Sequence, residues 1–228
     1  MINVIDHDGI TTLPPTKRIT DPEQKPMNII KRIKMKLFKK CIIGDDNVID
    51  IQCRYRGRFI VNGNHNNIHI AKTAKITDLN ICMAGDGNTL IIDHEARIMG
   101  PCKITMQGKS KLHIGRNAGV RGVEFLVKDG CVDIGDLVMF SYGINIRNTD
   151  SHRIFRLESP GAVINPSKDI VIGKHVWVGM NATILKGVNI GNDSIVAYGA
   201  VVTHDCPNNA IIAGNPAKVV KTGITWDY

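Results

Sequence analysis

Little of this 228-residue chain is aromatic: two Trp, four Tyr and five Phe. With so few rings, a core has to be filled by aliphatic side chains, and Ile and Val recur throughout, which implies a narrow, repetitive interior. No C-x-x-C pair occurs among the six cysteines, Cys41, Cys53, Cys82, Cys102, Cys131 and Cys206. Scattered in this way, they fit neither a zinc module nor a small disulfide scaffold, and buried apolar thiols are the expected role. No run approaches the roughly 20 apolar residues that cross a bilayer, so a membrane-spanning protein is not expected. The opening residues MINVIDHDGITTLPPTKR have no basic region followed by an apolar one and no small-residue cleavage site. Nothing marks them as a secretory signal, and a cytoplasmic location is the expectation.

What is present is globular: 43% of residues are hydrophobic and 22% charged, with length enough for one domain and a short appendage. Lys and Arg number 29 against 21 Asp and Glu, a net charge of +8. That excess favours an anionic partner, whether nucleic acid, acidic polysaccharide, phosphate-bearing cofactor or lipid headgroup, and does not choose among them.

The decisive pattern is internal repetition. Ile172, Val178, Ile184, Ile190, Val196 and Val202 fall at an interval of six with only Ile or Val at that position. Four residues after the first five come Val176, Ala182, Val188, Ser194 and Ala200, all small or β-branched, and Gly173, Gly179 and Gly191 follow three of the aliphatics. A period of six matches neither a helix face at about 3.6 nor a strand at about 2, but it matches a short strand plus a turn wound into a solenoid. Three such hexads make one triangular coil, with Ile and Val stacked inside and Gly releasing the backbone at corners. Upstream the pattern continues through Ile134, Phe140 and Ile146; Ile114, Val120, Leu126 and Val132; Ile92, Ile98 and Ile104; and Ile70 and Ile76. From Ile134 to Ile172 the step is 38 residues, one coil plus a protruding loop over about 153–168, where hexads stop and two prolines appear. Loops leaving repeat scaffolds commonly build binding sites.

The ends differ. Residues 1–26 are polar with four prolines and no period, and are expected to form an irregular or disordered arm. Over 27–40, MNIIKRIKMKLFKK places Ile29, Ile33 and Leu37 at helical spacing among Lys and Arg, predicting a basic amphipathic helix. Such a helix would cap the first coil, with contact to the inner face of a membrane or an anionic polymer as its other use. The expected organisation is an arm and helix over 1–40, a solenoid over 41–203 and a C-terminal tail over 204–228.

The segment IGKHVWVGMNATILKGVNIGNDSIVAYGAVVTHDCPNNAIIAGNPAKVV (Ile172 to Val220) resembles the hexapeptide-repeat acetyltransferases. It looks most like maltose and galactoside O-acetyltransferases and those acting on bacterial capsule, polysialic acid or lipopolysaccharide. The hexads extend the likeness back to about Ile70. It implies an all-β, left-handed parallel β-helix, acetyl-CoA as co-substrate, no metal, a sugar or polysaccharide acceptor that is acidic if the basic charge is a guide, and a homotrimer with sites between subunits.

Such a transfer needs a base near neutral pH to take the acceptor hydroxyl's proton and donors for the developing oxyanion. Eight histidines are available. His152 sits where the hexads break into the loop, and IGDLVMFSYGINIRNTDSH resembles the family segment that ends in its catalytic histidine, which makes His152 the candidate base. Asp150 would share a face with His152 in an extended segment and orient its ring. Trp177 lies 25 residues after His152, where relatives carry Trp, and implies a wall for acetyl donor or acceptor. His175 occupies a variable, outward position. For the cofactor, the resemblance places Met180 and Tyr198 beside the pantetheine, Thr203 and His204 near the adenosine, and Lys218 and Lys221 near the nucleotide phosphates, where Lys serves as a point charge. An Asn that many relatives carry about 30 residues before the histidine is missing, since the region reads VRGVEF (Val120 to Phe125).

Three rivals stand beside this reading. An N-acetyltransferase of a nucleotide-linked amino sugar uses the same fold. A carbonic anhydrase on this solenoid needs histidines in VGMNATILKG, which has none. A non-catalytic binding solenoid has no need of His152, Trp177 and the NPAKVVK tail together. Nucleic acid is not an expected partner, because basic residues are dispersed and aromatic stacking platforms are absent.

Overall fold

The structure, a computed structural model, describes residues 3–6, 9–12, 29–31 and 40–228. Three sheets of ten, eight and eight strands run along it, with one separate two-stranded hairpin. Each coil adds one strand to each sheet in turn, as in Lys111–Ile114, Gly119–Arg121 and Val123–Lys128. In that order the ten-stranded sheet is the first face, and the two eight-stranded sheets are the second and third. The first corner lies between the first and second faces, the second corner between the second and third, and the third corner closes the triangle.

The aliphatic periodicity becomes columns of buried side chains. Ile51, Ile70, Ile92, Ile114, Ile134, Ile172 and Ile190 are successive register partners inside the first face. Phe59, Ile81, Ile104, Phe125, Ile146, Ile184 and Val202 do the same inside the third. Neighbouring strands lie ~4.8 Å apart, so each aliphatic group touches its counterparts above and below and leaves no room for water. The 38-residue step from Ile134 to Ile172 is one coil in register.

Four expectations need correction. Leu126 is not in the core: the column carries Phe125, and Leu126 faces outward. That coil leaves its hexad phase at Gly122, whose φ of 56° bends the chain into Val123, and a shift of one residue exchanges the two faces of a strand. The glycines after the first-face isoleucines do not supply unusual backbone angles. A Cβ on Gly135 would lie 2.7 Å from the carbonyl carbon of Gly173, so close approach of stacked coils excludes a side chain there. The left-handed turns fall instead on non-glycine residues two further along, Asn117, Leu137, His175 and Asp193.

The helix over 27–40 is replaced, in its described part, by strand. Ile29–Lys31 pairs in parallel with Val48 to Asp50, and Lys40–Ile43 pairs with Phe59–Asn62. The backbone of the first coil leaves an open ladder edge, and pairing to it overrides helical spacing. The rest of that segment lies outside the described residues. Within the expected irregular arm, Asn3–Asp6 and Gly9–Thr12 form an antiparallel pair added to the same sheet; the arm's remaining residues lie outside the described ones. At the other end, parallel pairing continues to Ile211 and Ile212 on Ile195 and Val196, after which Ala217–Thr222 folds back antiparallel on Ala210–Gly214.

Buried polar groups close the third corner of the first coils. Asn66 Nδ2 donates to Asn47 Oδ1 at 3.0 Å, Asn88 Nδ2 to Asn66 Oδ1 at 2.9 Å, and Ser110 Oγ to Asn88 Oδ1 at 2.6 Å. Each amide thus satisfies its neighbour in a place water does not reach.

Candidate active site

The loop leaves the third corner after Ile144–Arg147 and returns to the first face at Ile170–Ile172. Phe155–Arg156 and Ser159–Val163 pair within it as an exposed antiparallel hairpin. Its first residues are tightly folded. Ser151 adopts φ 68°, its N–H donates to Thr149 Oγ1 at 3.2 Å, and the N–H of His152 donates to the carbonyl of Asp150 at 2.8 Å. The turn holds the His152 ring outward and exposed. Among the described residues that ring has no hydrogen-bond partner, which leaves both nitrogens open to a substrate.

Asp150 does not face His152. Its carboxylate accepts from Lys186 Nζ and, at 2.8 Å, from Asn165 Nδ2. Hydrogen bonds from Lys186 and then Asn165 hold that carboxyl below the usual carboxylate range. Asn165 also donates to the carbonyl of His152 at 2.9 Å and accepts from the N–H of Ile154 at 2.6 Å. Lys186, with a side chain 18% exposed, reaches the carbonyls of Asn165 and Pro166 at 3.2 and 3.4 Å. Lys186 and Asn165 therefore pin both ends of the loop and fix the backbone that carries His152. Neither was singled out from the sequence, because Lys186 lies 36 residues from Asp150 and only coil stacking brings them together.

Trp177 lies elsewhere. It projects from the second face, 42% exposed, between Met139 and Ile195. The second face is the side of the triangle opposite the third corner, so Trp177 and His152 of one chain do not meet. The C-terminal residues wrap against this face. Trp226 stacks on His175 with ring centroids 4.2 Å apart, donates from Nε1 to the carbonyl of His175 at 2.8 Å, and stands 6.1 Å from the Trp177 ring. Tyr228 packs on Trp226 and donates to the carbonyl of Leu137 at 3.1 Å. His175 is accordingly covered rather than outward and free, and its Nδ1 bonds Asp193 at 2.9 Å. The indole of Trp226 was the missed signal: one of two tryptophans, left outside every hexad.

The residues assigned to the cofactor divide among three places. Met180, 41% exposed, and Tyr198, 70% exposed, are at the second corner, where Asn181 Nδ2 donates to the Tyr198 hydroxyl at 3.1 Å. Next to them Gly199 has open space where a Cβ would stand. Thr203 and His204 are at the third corner, with Thr203 Oγ1 2.8 Å from His204 Nδ1. Lys218 and Lys221 are exposed on the outermost strand of the second face and have no carboxylate partner among the described residues. An exposed hydroxyaryl, an unfilled glycine and two unpaired ammonium groups suit a long ligand that is apolar at one end and phosphorylated at the other. Among the described residues no three His, Cys, Asp or Glu converge as metal ligands.

Comparison with known proteins agrees with this architecture. The family described as "Bacterial transferase hexapeptide (six repeats)" matches residues 169–204. The polysialic acid O-acetyltransferase of Neisseria meningitidis is 38% identical over 172 residues, covering 72% of this chain and 76% of its own. Two solved structures superpose with a TM-score of 0.78. They are the polySia-specific acetyltransferase NeuO, 33% identical with 83% of this chain and 88% of its own covered, and the polysialic acid O-acetyltransferase OatWY, 35% identical with 84% and 92% covered. On this repeat, this solenoid and these relatives, the chain belongs to the hexapeptide-repeat acyltransferases.

Proposed function

We propose that the protein transfers an acetyl group from acetyl-CoA to a hydroxyl of a bacterial surface polysaccharide. The observation that carries this reading is His152: an exposed imidazole with no hydrogen-bond partner among the described residues, on a loop held by Lys186 and Asn165. The names of the relatives, polysialic acid O-acetyltransferases, support the acceptor class.

Acetyl-CoA supplies an acetyl group already activated as a thioester. His152 accepts the proton of the acceptor hydroxyl as that oxygen attacks the acetyl carbonyl, and the imidazolium returns the proton to the departing thiolate sulfur. Asp150 enters as the anchor that Lys186 grips, so its charge holds the turn rather than the ring. Met180 and Tyr198 flank the path for the donor's pantetheine, and Lys218 and Lys221 offer charge to its phosphates. Since His152 and Trp177 occupy opposite sides of one chain, this reading includes assembly, a trimer in which the Trp177 face of one copy meets the His152 loop of the next.

The test is thiol release from acetyl-CoA with polysialic acid as acceptor. His152→Ala is expected to lower acceptor-dependent release by about a hundredfold or more. Full activity in that variant rejects the base assignment, and no acetyl-CoA binding by the wild type rejects the transferase reading.

A further inference from the structure

The three faces treat their outward charges differently. On the first face His113 bonds Asp93 at 3.0 Å and Asp133 at 2.7 Å, and His69 bonds Asp50 at 3.1 Å. On the third face Lys103 and Glu124 are register partners and pair at 2.8 Å. The second face does the reverse. Lys75 and Arg97, both exposed, stand directly opposite each other on neighbouring strands, and exposed Arg121 follows beside Met99 on the next. Like charges so placed destabilise a sheet. Among the described residues none of the three has a carboxylate within ion-pair distance.

Further cations lie towards the N-terminus, and towards the C-terminus the row continues through uncharged positions. Towards the N-terminus, exposed Arg54, Arg56 and Arg58 alternate with buried Cys53, Tyr55 and Phe59. Arg56 and Arg58 line a groove with Thr77, Asp78, Asn80 and Gly100, in which Asp78 is the single carboxylate. Towards the C-terminus, the row of Lys75 and Arg97 runs through Gly119 and Met139 to Trp177. Strands ~4.8 Å apart put one cation on each of three successive coils, with Lys75 about 19 Å from Trp177.

We propose that the second face is a track for a polyanionic glycan lying along the solenoid axis. Its acidic groups rest on Lys75, Arg97 and Arg121 while one sugar of the same chain reaches the Trp177 end. The inference rests on the sugar acetyl-transfer reading and extends it: the acceptor is a polymer carrying a negative charge on its repeating sugars, and chains too short to span the row lose the benefit. Over the stretch of Lys75, Arg97 and Arg121, away from the Trp177 end where the next copy's loop is placed, a second copy of the protein is the weaker occupant, because stable protein interfaces deplete charge at their centres.

The experiment compares the wild type with Lys75→Gln/Arg97→Gln/Arg121→Gln on labelled polysialic acid and on a sialic acid disaccharide, in low and high salt. The triple variant is expected to bind the long polymer about tenfold more weakly or worse, and its remaining binding to respond less to salt. The ratio of kcat/KM for polymer over disaccharide is expected to fall by a similar factor. Arg97→Lys/Arg121→Lys, which keeps the charge, is expected to bind like the wild type. Unchanged polymer binding, or an unchanged ratio, overturns the track. Loss of binding together with a changed oligomeric state by light scattering also overturns it, because the cations then serve assembly. Polymer binding that depends on the cations, in a wild type that acetylates no sugar, keeps the track and rejects the transfer reading.

Discussion

Asp150 and His152 are two residues apart, yet the carboxylate turns to Lys186, 36 residues away. A carboxylate takes the strongest donors within reach, and here those are the Lys186 ammonium and the Asn165 amide. Holding the Asp150 carboxyl below its ordinary value means that the anchor is in place above the ordinary carboxylate range and is lost as pH falls through the lowered value. Lys186→Met is therefore expected to let the Asp150 carboxyl rise towards its ordinary range, read by carboxyl NMR, and to lower kcat/KM about tenfold by loosening the His152 turn. The side chains are 18% and 44% exposed, so stability is expected to fall by less than about 1 kcal/mol, read by urea unfolding. A variant with unaltered kcat/KM would refute the anchoring role. In the sequence, His152 was a candidate because it stands at the break in the hexads and ends a segment that resembles the family's. Its supports were not, since Asn165 and Lys186 occupy positions that no local spacing connects to it.

At the scale of the coil, the hexads predicted which side chains point inward wherever the period held, and missed where a coil departs from it. Phe125 replaces Leu126 in the column because one bend at Gly122 resets the phase, and alternation along a strand then exchanges in for out. The glycines show the same limit. Their positions were visible, but their cause is contact with the next coil. Gly135→Ala puts a methyl 2.7 Å from the backbone of Gly173. Because that backbone cannot swing aside, the substitution is expected to cost about 1–3 kcal/mol, as overpacking does, measured by urea unfolding. Gly161→Ala, with nothing within 4 Å of the added carbon, is the comparison that removes a glycine without the clash; its φ of 127° limits it to backbone strain. If Gly135→Ala costs no more than Gly161→Ala, close approach is not the reason for glycine at 135. The Asn47, Asn66, Asn88 ladder went unread because its members lie 19 and 22 residues apart, off the hexad grid.

On the scale of the whole molecule, a triangular solenoid separates its own candidate groups. His152 projects from a corner and Trp177 from the opposite face, so a site that uses both has to be shared between copies. Mixing equal amounts of His152→Ala and Trp177→Ala chains after unfolding and refolding is expected to restore about a quarter of wild-type activity if trimers form at random with one site per junction. Activity in the mixture no higher than in either variant alone would place both residues outside a shared site.

The sequence alone determined the solenoid, the inward columns wherever the period held, and the long loop, because each is written as a period or as its interruption, and periods follow from backbone geometry repeated along the chain. It also carried the family likeness across the C-terminal repeats. The tertiary structure alone decided that Ile29–Lys31 is strand, that Asp150 serves Lys186, that Trp226 covers His175, and that Lys75 and Arg97 stack unpaired beside the row of Trp177. All four are contacts between coils or ends brought together by stacking, where partners lie about 20 residues or more apart and the choice among them is made by which backbone edge, charge or ring is nearest once the coils have closed.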